Sequence, residues 1–310
     1  MNFYRMVLLP LLIALLLPFA YAEESNQTAS DPNIEALQRE FDAATQAMKQ
    51  ARRKGPIDIP LLNQAVLHLP TGYAFVPTPA ASQFMTVMGN QVDEDFLGLI
   101  LPESEEAEWL ATLRYEKSGY IRDDDAKSWN VDDMLKSIKD STEESNETRT
   151  SRGLPGLDIV GWAEPPNYDD TSHRLVWALT VSDQGAPADQ PKSVNYNTYA
   201  LGREGFFSLN LVTASNELEK RKPIAEKLLA SLEFEPGKHY EDFNADTDHT
   251  AEYGLAALVG GAFIAKKFGL FALASLFIAK FGKIIIVAAA ALFGIFGKRF
   301  GGKKGGGMDA

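Results

Sequence analysis

Three consecutive carboxylates, Asp123-Asp124-Asp125, with Asp132-Asp133 close behind, are the densest set of hard oxygen donors in the chain. Ca²⁺ and Mg²⁺ prefer such ligands, so Asp123, Asp124 and Asp125 form a candidate cation site. Their spacing is not the alternating one of an EF-hand loop. One aspartate capping a turn while its neighbours face water accounts for the same residues. A second candidate is Trp162, Pro165, Pro166, Tyr168 and Asp169. Prolines fix φ and aromatic rings supply contact area, so Glu164–Asp170 reads as a stiff loop suited to a partner or a glycan, or as a rigid turn that packs Trp162 inward. His239 and His249 flank Glu241, Asp242, Asp246 and Asp248. Imidazole with carboxylates is a zinc donor set, but in a polar stretch these groups read as solvated. His68 and His173 stand alone, and Arg203-Glu204 between two glycines reads as an exposed hairpin turn.

The chain contains no cysteine, which excludes thiolate catalysis and zinc-thiolate sites. It also has no G-x-S-x-G, H-E-x-x-H or phosphate-binding glycine loop. No catalytic residue and no cofactor is assigned from the sequence.

Charge divides the 310 residues into unlike parts. The formal net charge is −12, yet residues 250–310 carry +6 and residues 23–249 carry −19. A body this acidic repels phosphate backbones, which argues against nucleic-acid binding. At the start, the weakly basic Met1–Arg5 leads into the apolar run Val7–Ala20, and Ala20-Tyr21-Ala22 then offers small residues to a signal peptidase. The run is too short to cross about 30 Å of hydrocarbon with ease. An export signal over residues 1–22, cut between Ala22 and Glu23, is the expectation.

From Tyr253 to Phe300 the composition turns to Ala, Gly, Leu, Ile and Phe, in stretches separated by lysines. Spanning Gly254–Ala279 would bury Lys266 and Lys267 near the bilayer centre, at about 2.5–3.5 kcal/mol each. One span over 281–300 costs less. Lys280 and Lys283 then sit at the outer face, and Lys298 and Arg299 at the cytoplasmic one. Residues 250–280 become a juxtamembrane, interfacial segment on the outer leaflet, and the basic, glycine-rich tail 301–310 stays near anionic headgroups. A two-span hairpin is the rival topology.

The elements that must carry the candidates lie in the acidic body, 23–249. Ile34, Leu37, Phe41, Ala44 and Met48 recur at helical spacing behind Asp31-Pro32, and Lys54-Gly55-Pro56 ends that helix. Short alternating stretches follow at Ala65–Leu69, Tyr73–Val76, Leu97–Leu101, Trp109–Tyr115, Leu157–Trp162 and Leu175–Val181. Val194–Leu201 and Phe206–Thr213 read as hairpin arms around Gly202-Arg203-Glu204-Gly205. Helices are expected at Ala80–Met88, Val131–Lys139 and Asn216–Leu232, the second fading into polar Ser141–Arg152. The order implies an α+β body with a largely antiparallel sheet flanked by helices, followed by a C-terminal membrane helix. Its closing hairpin, helix and Ser231–Phe234 stretch resemble the sandwich of the PsbP and Mog1 proteins.

Several local motifs occur together: Met88-Gly89-Asn90, Gly119-Tyr120-Ile121-Arg122-Asp123-Asp124-Asp125-Ala126 and Gly161-Trp162-Ala163-Glu164-Pro165-Pro166-Asn167-Tyr168-Asp169. They continue with Leu175-Val176-Trp177-Ala178, Val194-Asn195-Tyr196, Leu201-Gly202-Arg203-Glu204-Gly205 and Tyr253-Gly254-Leu255-Ala256-Ala257-Leu258. The ordered set, from about Gly55 to Arg299, resembles domain-of-unknown-function family 2167, a bacterial group of membrane-anchored proteins. The resemblance implies a bacterial inner-membrane location with the main domain periplasmic, and brings no catalytic residue with it.

The expected function is therefore an exported, membrane-anchored module whose acidic domain binds an envelope protein partner, with lipid contacted through the C-terminal segment. Two alternatives stand beside it. One is a hydrolase or transferase built on Asp123–Asp125 and Asp169-Asp170, which needs two carboxylates in one cleft. The other makes the C-terminal segment a membrane-active or self-associating part, regulated by the soluble domain.

Overall fold

A computed structural model describes residues 32–260 except 89, 91, 105–108 and 152–154. The Ala22–Glu23 cleavage site, Lys280, Lys283, Lys298, Arg299 and the expected membrane helix lie outside the described residues. No helix among the described residues is long and apolar enough to cross a membrane.

In chain order the elements are α1 (Pro32–Ala51), β1 (Arg53–Lys54), β2 (Ile57–Leu61), β3 (Ala65–Leu69), β4 (Tyr73–Pro77), α2 (Ala80–Val87), β5 (Phe96–Pro102) and β6 (Trp109–Glu116). Then come α3 (Val131–Ser151), β7 (Leu157–Asp169), β8 (Arg174–Asp183), β9 (Ser193–Leu201), β10 (Phe206–Ala214), α4 (Leu218–Ala230), β11 (Leu232–Phe234) and α5 (Ala257–Gly260). Eight strands form one antiparallel sheet in the order β1-β4-β5-β6-β10-β9-β8-β7, and β11-β3-β2 form a smaller one. The expected α+β class, with a large antiparallel sheet and helices, is what the chain adopts.

Period-two patterning places the core. On one face of the large sheet, Leu113, Tyr196, Leu209 and Leu211 meet Leu67 and Leu69 of the small sheet and Leu228 and Leu229 of α4. On the other face, Leu175, Trp177, Leu179 and Val181 of β8 all turn inward. They pack with Met134 and Ile138 of α3. At the β4–β5 side of the sheet, Val76 and Leu99 cluster with Ala81 and Met85 of α2.

Three boundaries differ from the sequence reading, each for a physical reason. α3 continues through the polar run to Ser151, because Thr142 and Asn146 are turned inward and buried. The stiff loop at Glu164–Asp170 is strand: β7 runs unbroken to Asp169, its register shifting between Trp162 and Glu164 and again between Glu164 and Asn167. Proline donates no ladder hydrogen bond, so it is tolerated where β7 lies, at a sheet edge and beside bulges. Finally, the body does not end at residue 249. Leu255, Leu258 and Val259 are fully buried against the α3 cluster, and a Cβ on Gly260 would press on Met134. The first part of the expected interfacial segment, up to Gly260, is thus protein core, since the apolar face of α3 gives it a partner.

Candidate functional site

The turn from β7 to β8 is held by its own side chains. Asp169 accepts the Thr171 N–H at 2.9 Å and the Ser172 hydroxyl at 2.6 Å. Those donors hold its carboxyl below the usual carboxylate range, the Ser172 hydroxyl most of all. The turn delivers His173 at φ +50°, in the left-handed region, a conformation in which histidine is several-fold enriched among non-glycine residues.

Around His173 stand groups from four separate segments. Its ring stacks on Tyr240 at a centroid distance of 4.1 Å. Nδ1 lies 3.0 Å from the Tyr168 oxygen and Nε2 3.2 Å from Glu241 Oε1. The Tyr168 hydroxyl donates to Asp123 Oδ2 at 2.7 Å, which leaves that carboxylate 3.8 Å from Nδ1. Tyr240 donates to the Ile121 carbonyl at 2.7 Å. Tyr120 stacks on Phe243 at 3.9 Å and leans on Tyr240 at 4.4 Å. Burial raises the Tyr168, Tyr240 and Tyr120 phenols above their ordinary value, with the Asp123 hydrogen bond adding to the rise at Tyr168. All three remain protonated donors at neutral pH.

Glu241, Tyr240 and Phe243 belong to a strap, residues 235–260, that crosses the body and leads to the apolar run. His239 bridges to Gly202, and Thr250 pairs in parallel with Tyr120. Gly119, at φ +90°, permits that second crossing, since a Cβ there would meet the His249 carbonyl at 2.6 Å. Arg203 grips Asp248 with two bonds, Nε at 2.7 Å and Nη2 at 2.8 Å. This grip, with the Asn244 N–H, holds the Asp248 carboxyl well below the usual carboxylate range. Asp125 accepts the N–H groups of Leu255 and Ala256 at 3.2 and 3.0 Å, and Ser137 donates to the Gly260 carbonyl.

Two residues read as belonging to different sites, Asp123 and Tyr168, are thus brought into direct contact. The others are not gathered with them. Asp124 is exposed and Asp125 faces the strap. Among the described residues no three His, Asp or Glu side chains converge to hold a metal ion. Trp162 donates to the Val131 carbonyl at 3.3 Å and lies edge-on to Trp177, bracing β7 against the second core. Pro165 is exposed and Pro166 half-buried along the edge strand. A cavity of about 130 Å³, lined in part by Leu157, Val181, Asp183 and Lys192, sits at the opposite end of β7 and β8 from this cluster.

Sequence reasoning missed His173, Glu241 and the ion-paired Arg203–Asp248. Arg203 and Glu204 are no idle turn: Glu204 pairs with Lys238 and accepts from Gln64 at 3.0 Å. The signal lay in the strap itself, where alternating aromatic and acidic residues Tyr240, Glu241, Asp242 and Phe243 are unlike a solvated linker.

The architecture is that of an α+β protein with one large antiparallel sheet, covered on one face by a small sheet and a helix and on the other by helices. Residues 51–290 match the family described as "Protein of unknown function (DUF2167)", and the chain belongs to that family. No curated protein matches it. Among solved structures it is similar to the cyanobacterial PsbP (CyanoP) of Synechocystis sp. PCC 6803, with 10% identity over 59% of this chain and 91% of that one, at a TM-score of 0.35. The Ran-binding protein Mog1p of Saccharomyces cerevisiae is also similar, with 10% identity over 62% of this chain and 100% of that one, at a TM-score of 0.33. Neither carries anything about activity to this chain.

Proposed function

We propose that the protein is exported and tethered to the bacterial inner membrane by a single C-terminal span over 281–300. Its acidic body stands outside the cytoplasm and binds an envelope partner. The observation that supports this reading most is the strap: residues 235–260, which run directly into the apolar, lysine-punctuated segment, are fastened to the body along their length by Arg203–Asp248, Asp125 and the buried Leu255, Leu258 and Val259. A body joined to a bilayer in this way is held close to it, where a partner presents itself. Binding is favoured over hydrolysis because Asp123, Asp125 and Asp169 are already engaged by Tyr168, the strap and the Ser172 turn.

The test is fractionation of cells making the full chain, with N-terminal sequencing and crosslinking. A mature chain beginning at Glu23, released from membranes only by detergent and crosslinked to one recurring envelope protein, is the expected result. Recovery of the uncut chain in the detergent-free soluble fraction overturns the reading.

A further inference from the structure

We propose that His173 is a proton-operated clasp that holds the strap, through Glu241, against the Asp123–Tyr168 corner of the body. This rests on the geometry of the strap alone and is independent of export or anchoring.

The hydrogen-bond inventory requires a proton on each ring nitrogen. Tyr168 gives its only hydrogen to Asp123, so its oxygen accepts from Nδ1–H of His173. On the other side Nε2 faces a carboxylate, Glu241, which only accepts. A neutral imidazole has one N–H and satisfies one of the two contacts, turning a lone pair toward an oxygen at the other. The imidazolium satisfies both and adds charge to each bond.

The surroundings point the same way. The charged and titratable groups facing the ring are Asp123 from the segment after β6, Tyr168 from β7, and Tyr240 and Glu241 from the strap. Asp124 and Asp170 add their fields to the neighbouring phenols. Both ion pairs of His173 are with carboxylates, and its left-handed backbone aims the ring into the strap rather than along the strand. The closed clasp therefore binds a proton that the open one holds less well. By linkage, closure is favoured on the acid side of the window in which imidazoles titrate and weakens as pH rises through it.

The experiment is hydrogen–deuterium exchange of the full chain in detergent at pH 5.5 and pH 8, corrected for intrinsic rates and read on peptides within 236–250. Strap protection should fall by about tenfold at the higher pH, the size of one charge-assisted hydrogen bond, while β9 and β10 stay unchanged. His173→Gln should abolish the response, and so should Glu241→Gln, which alters an exposed residue and leaves the fold intact. The double variant His239→Gln/His249→Gln, which removes the strap's own imidazoles, should retain it. No pH response in the natural chain, or a response that survives in both single variants, overturns the clasp. Loss of the response only in the double variant does so as well.

Discussion

Asn146 reaches from α3 to the first residue of β7, where its Nδ2 donates to the Leu157 carbonyl at 3.0 Å and its Oδ1 accepts the Leu157 N–H at 2.7 Å. β7 has no strand on its outer side, so this side-chain amide takes the place of one for a peptide that water does not reach. Asn146→Ala leaves both backbone groups buried and unpaired and should cost at least about 2 kcal/mol. Asn146→Asp keeps the acceptor and loses the donor, and should fall between. Urea denaturation measures both, and an Asn146→Ala chain as stable as the natural one would refute the role. Nothing in the sequence marks Asn146, because a polar residue in the polar run Ser141–Arg152 carries no periodic signal. His173 was equally hidden: its partner Glu241 is far along the chain, and only the sheet brings them together. Asp123 and Tyr168 were legible by residue type, but not as neighbours.

Elements with one clear face were readable. In β8 the inward set Leu175, Trp177, Leu179 and Val181 fixes both strand and register, and the β9–β10 hairpin follows from Gly202 and Gly205 around its turn. β7 was read too short because two prolines suggest a loop, whereas their missing N–H groups matter only to a strand with two neighbours. That edge position has a consequence. An exposed edge is a template for pairing with another chain, and proline and bulges are among the means by which proteins block it. Changing Pro165 and Pro166 together to Val restores two N–H donors and a β-branched surface. The variant should self-associate in a concentration-dependent way while the natural chain in the same detergent does not. Sedimentation velocity distinguishes the two, and an unchanged distribution would mean that the bulges alone protect the edge.

At the scale of the whole molecule, the question is where the body ends. Composition draws the line near residue 250, where acidic residues give way to alanine, glycine and leucine. Packing draws it at Gly260 or beyond, because Leu255, Leu258 and Val259 close the core that α3 and β8 begin. Side chains of this size contribute about 1.5–3 kcal/mol each when fully buried, so the three together supply roughly 5–8 kcal/mol, against a typical domain stability of about 5–15 kcal/mol. The loss would also strip Asp125 of its two N–H partners and Ser137 of its carbonyl acceptor. A fragment of residues 32–260 should therefore melt cooperatively, whereas 32–249 should lose most of its stability and bind a hydrophobic dye through the uncovered face of α3. Thermal unfolding of the two fragments side by side decides the matter. Equal midpoints would mean that the apolar run begins where composition places it, and that its first turn is not part of the core.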